Sequence, residues 1–133
     1  MNINDKIFIV ALLLIFLFAQ AIYQARKFKR NKPISHFWHS VYYGAYSGII
    51  IIAYIIAGIT KAVWAIPIIA LSLRLAAFDI ILNIARGKRL LYNGRGTTDS
   101  DQDKIENNLS EFWVAVLKVL YLFIFGITIF IAK

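Results

Sequence analysis

Cysteine is absent from the 133-residue chain, which excludes disulfide scaffolds, Cys-ligated zinc, iron–sulfur clusters, thiol catalysis and thiol redox switching. Histidine and proline occur twice each, and 7 acidic residues stand against 15 Lys and Arg, for a formal net charge of +8. Only 17% of the chain is charged, where soluble domains average about 25%, and 60% is hydrophobic, where about 45–50% is usual. These proportions argue against a soluble globular domain and for a small polytopic membrane protein.

The apolar residues gather into blocks long enough to cross a bilayer, which takes about 20 residues. We expect a single transmembrane domain over 1–133, an all-α four-helix bundle with spans near 3–25, 40–59, 62–84 and 112–131. The blocks are aliphatic without a period of two, so barrel strands do not compete. Ala19-Gln20-Ala21 resembles a signal-peptide cleavage site. Because the block is followed at once by a basic cluster, we read it as a retained anchor. The connection Gly58-Ile59-Thr60-Lys61 is short enough to make the second and third spans an antiparallel hairpin. Thr60 is expected to cap the third helix, Pro67 to bend its first half, and Asn108 with Glu111 to form a capping box for the fourth.

The basic residues divide unevenly. The connection 26–39 holds Arg26, Lys27, Lys29, Arg30 and Lys32, and the connection 85–111 holds Arg86, Lys88, Arg89, Arg95 and Lys104, whereas the connection between the second and third spans offers Lys61 alone. By the positive-inside rule both basic connections face the cytoplasm, and both termini lie outside. Arg26, Lys27, Lys29, Arg30, Lys32, Lys88 and Arg89 are the expected contacts to anionic lipid headgroups. Nucleic acid as a partner has nothing beyond charge to support it.

Three charges fall inside the oil: Arg74 and Asp79 in the third span and Lys118 in the fourth. Each costs roughly 2.5–3.5 kcal/mol at the centre of a membrane helix even on a lenient scale, so each needs a partner. Asp79, Asn83 and Arg86 lie within about 40° on one helix face, and Glu111 shares a face with Lys118. Gln20, Gln24, Tyr42, Tyr43, Tyr46 and Ser47 fall in the same half of the membrane. We expect a buried polar cluster of Arg74, Asp79, Asn83, Arg86, Lys118, Tyr43 and Tyr46, with Asp79 paired to Lys118 or to Arg74 of a neighbouring helix or subunit. Such a cluster fixes helix register, lines a path for protons, ions or small solutes, or serves a membrane enzyme.

The remaining motifs are weaker. Gly44 and Gly48 form a GxxxG that admits a close partner helix, within the chain or between chains. His36 and His39 at a helix start are headgroup anchors or, with Asp79, half of a mononuclear metal site; no metal or cofactor is expected. Asp99, Asp101 and Asp103 begin like a calcium loop, but Lys104 stands where Gly is needed and Ser110 where Glu is needed. Small multidrug exporters share the length and span number but carry an acidic residue in the first helix, where this chain has none after Asp5. The Gly-Asn-Arg signature of dimeric fluoride channels is missing, and phage holins are similar only in being small, apolar and cationic.

The expectation is a non-enzymatic inner-membrane component, bacterial or phage-encoded, that is structural, partner-binding or pore-forming. Its partners would be anionic lipids and a second copy or another membrane protein. The alternatives are an oligomeric channel or proton-coupled transporter using Asp79, and a lipid-modifying enzyme using His36, His39 and Asp79.

Overall fold

A computed structural model describes residues 1–30, 36–56, 58, 62–92 and 110–132, without the side chains of residues 36 and 38–40. Helices α1 (Ile3–Lys29), α2 (His36–Ile56), α3 (Ala65–Ala85) and α4 (Glu111–Ile131) are the regular elements among them, and no strand is present there. Helices α1, α3 and α4 are long and apolar enough to cross a membrane; α2 has a shorter apolar stretch, Val41–Ile56. At about 1.5 Å per residue a 21-residue helix is about 31 Å long, close to the thickness of a hydrocarbon core. The chain is an all-helical membrane bundle.

Helix α1 begins with a capping box. The Asp5 amide donates to Asn2 Oδ1 at 2.8 Å and the Asn2 amide to Asp5 Oδ2 at 3.2 Å, so two orphan N–H groups are satisfied reciprocally. The helix runs four residues past its apolar block, placing Arg26, Lys27 and Lys29 in the last turn, where cations complement the helix dipole. Ile9, Leu13, Leu17, Ala21 and Gln24 form its buried stripe at helical spacing.

Helix α3 is the centre of the bundle. It packs closely along α1 and α4 and touches α2 at fewer points. Ala65, Ala70 and Ala76 are among its buried residues, and small side chains let neighbouring backbones approach where lipid removes the hydrophobic drive between helices. The helices alternate in direction. Lys6 donates to the Ile129 carbonyl and Tyr54 to the Asp5 carbonyl at one end, which holds both termini. At the other end Arg86 lies over Phe28, so the two basic connections leave the bundle together.

Several local expectations are corrected. Helix α3 starts at Ala65 with Trp64 at its N-cap, after a turn over 62–64, so Thr60 is too far upstream to be its cap. Pro67 therefore sits in the first turn, where its missing N–H has no helical partner to lose, and it has no reason to bend the helix. Helix α4 starts at Glu111 with Ser110 at its N-cap, so Asn108 does not cap it. A Cβ added at Gly44 or Gly48 would meet nothing within 4 Å, so neither glycine seats a neighbouring helix of the same chain. The acidic run 99–106, Asn108, Arg95, Lys104, Lys32, Lys61 and the side chains of His36 and His39 lie outside the described residues.

Candidate functional site: an interhelical polar cluster

The cluster is built on α3. Lys118 projects from α4 and its ammonium donates to Asp79 Oδ2 at 2.6 Å and to the Leu75 carbonyl at 2.9 Å. Leu75 and Asp79 are one helical turn apart, so a single cation clasps two acceptors on the same face of α3. The Lys118 side chain is 5% exposed and that of Asp79 28%. The ammonium is sealed between helices, and the carboxylate keeps one open side.

Arg74 lies on a different face of α3, about 140° around the helix from Asp79. It joins α3 to α1 and α2: Nη1 donates to Gln20 Oε1 at 3.2 Å, and the guanidinium lies 5.1 Å from the Tyr43 ring and 4.8 Å from the Phe78 ring. Cation–π contacts of this kind are worth more where water is excluded. Gln20 and Gln24 are both buried.

The tyrosines of α2 reach main-chain carbonyls. Tyr43 donates to Ala70 of α3, and Tyr46 donates to Leu12 of α1 at 2.9 Å while its ring stacks on Phe16 with centroids 4.3 Å apart. A helical carbonyl retains a second lone pair after its intrahelical bond, so these contacts join helices without opening either one. Ser72 instead bonds within its own helix, to the Ile68 and Ile69 carbonyls.

Asn83 and Arg86 share the stripe of Asp79 but not its contacts. The Asn83 amide donates to the Leu90 and Tyr92 carbonyls at 3.0 and 2.8 Å, fastening the turn that follows α3. The Arg86 guanidinium lies 3.9 Å from the Phe28 ring of α1. Glu111 does not join Lys118 but meets Arg89 at 2.7 Å near the surface. Thus the expected cluster divides into an ion pair, an arginine–tyrosine layer and an end turn.

Sequence reasoning missed Lys6 and Tyr54. The 2.7 Å bond from Lys6 to Ile129 spans 123 positions and satisfies a carbonyl in the last turn of α4, which has no acceptance within its own helix. No local signal in the sequence announces it. The Asn2-x-x-Asp5 box was missed as well, although its residue types and spacing carry a local signal.

Fold and site together define a class: a polytopic helical membrane protein with an ion pair held between two of its helices. No known protein family, curated protein or solved structure matches the chain, so its function is argued from the site.

Proposed function

We propose that the protein is a non-enzymatic, multi-pass component of an inner membrane, with its basic end toward the cytoplasm and both termini outside. The observation that carries this reading is the attachment of Lys118 to both Asp79 and the Leu75 carbonyl. Such a clasp sets the rotation and depth of α4 against α3, which apolar contact alone specifies poorly in lipid. The remaining cross-helix bonds do the same for α1 and α2. The braced bundle presents its basic end to anionic headgroups, and the open Gly44–Gly48 face of α2 is where a second copy or another membrane protein would pack.

The test is a charge swap. Asp79→Lys combined with Lys118→Asp should restore part of the assembly that either substitution alone abolishes, the remainder being lost with the donor to the Leu75 carbonyl, read by thermal unfolding and size exclusion in detergent. A second reading, an oligomeric channel or proton-coupled transporter, draws on the open side of the Asp79 carboxylate. It requires Asp79→Asn to leave the bundle folded while abolishing ion or proton flux in liposomes. The bracing reading expects the opposite, a bundle that fails to assemble.

A further inference from the structure

The turn after α3 holds two cations around one aromatic ring. Arg86 lies between Phe28, at 3.9 Å, and Tyr92, at 6.0 Å, and Lys88 Nζ stands 5.5 Å from the same Tyr92 ring. The turn is fixed from below. Asn83, 3% exposed, holds the Leu90 and Tyr92 carbonyls with its side chain, and its own carbonyl accepts the Lys88 amide at 2.8 Å. Gly87 supplies the left-handed residue, at φ +68°, that this helix ending requires.

Three of the last four carbonyls of α3 are occupied. Leu82 accepts from the Arg86 amide, Asn83 from those of Arg86 and Lys88, and Ile84 from that of Gly87, which reduces the negative character of a helix end that would otherwise repel an anion. The nearby Arg89, expected from the sequence as a headgroup contact, is instead engaged by Glu111 with its side chain 77% exposed, and so stands outside this site. Among the described residues no carboxylate pairs with Arg86 or Lys88.

We propose that Arg86 and Lys88, held on Phe28 and Tyr92, form a specific site for the phosphate of an anionic membrane lipid. This rests on the reading that the basic end lies among the headgroups, where Arg86 stands one residue beyond a membrane-length helix. A guanidinium held over a ring by its charge, as Arg86 is at 3.9 Å from the Phe28 centroid, has five N–H donors from which to bond phosphate oxygens. The aromatic contacts and the Asn83 clamp order the cations before the lipid arrives, which lowers the entropic cost of binding. This differs from diffuse attraction to a basic surface, in which any of the cations would serve equally.

The experiment takes the full chain from vesicles of mixed phosphatidylglycerol and phosphatidylcholine and counts retained lipids by native mass spectrometry, with circular dichroism on every variant. The wild type should retain phosphatidylglycerol preferentially. Arg86→Gln and Lys88→Gln should each reduce that preference several-fold, and Arg89→Gln should leave most of it; Lys88→Gln carries the test if Arg86→Gln does not fold. Equal losses in all three variants would reduce the site to diffuse charge and overturn the proposal. Displacement of the lipid by millimolar inorganic phosphate would overturn it in favour of a free-anion site. No preference in the wild type would overturn it together with the headgroup-level reading of the basic end.

Discussion

Lys118 shows what a charge in oil demands of its surroundings. Its ammonium has a carboxylate and a main-chain carbonyl within hydrogen-bond distance, both supplied by one turn of α3. Removing one member of a buried pair leaves the other uncompensated, which typically costs about 3–5 kcal/mol, whereas replacing both by apolar residues of similar size can be neutral. Lys118→Met should therefore lower the unfolding temperature sharply in detergent. Lys118→Met with Asp79→Leu should recover most of the loss, and a double variant as unstable as the single one would contradict the pairing. The need for partners was legible in the sequence, because Asp79, Arg74 and Lys118 sit in apolar runs. The partner of Asp79 was narrowed to Lys118 or Arg74 without a choice between them, and that of Asn83 was not legible: Asp79 and Asn83 occupy the same helical stripe, yet one meets α4 and the other the turn beyond its own helix.

At the scale of elements, helices were readable wherever apolar runs were long, and their ends were less so. Residues 62–64 are apolar but form a turn, so α3 begins three residues later than its hydrophobicity implies and Pro67 falls in the first turn. Pro67→Ala should consequently change stability little, whereas Gly87→Ala, at φ +68°, should cost about 1–2 kcal/mol because a Cβ disfavours the left-handed region. Thermal unfolding of the two variants side by side checks both; a large loss at Pro67 would mean the proline acts elsewhere. The glycines of α2 pose a different question. Space is open around Gly44 and Gly48 for an added Cβ, so alanine at either position should leave the single-chain fold intact. The proposed partner helix should be lost at the same time, as measured by cross-linking in the membrane.

For the whole molecule, the four described helices alternate in direction, with both termini at one end and the basic ends of α1 and α3 at the other, as the Lys6–Ile129 and Arg86–Phe28 contacts require. With the proposed orientation, basic end toward the cytoplasm, tags on the two termini should be labelled by a membrane-impermeant reagent added outside cells, and a cysteine introduced at Arg89 should not be. Labelling of the termini on opposite sides would break the alternating arrangement. The sequence by itself determined that the chain is helical, belongs in a membrane and carries charges that cannot stand alone there. Run length, missing cysteine and the uneven spread of Lys and Arg are properties of the chain that need no neighbours. Only the tertiary structure decided that α3 is the centre, that Lys118 serves Asp79, that Asn83 serves an end turn and that Lys6 closes the end of α4. Those assignments depend on how each helix is rotated about its axis, and spacing along the chain fixes which residues share a face without fixing what that face meets.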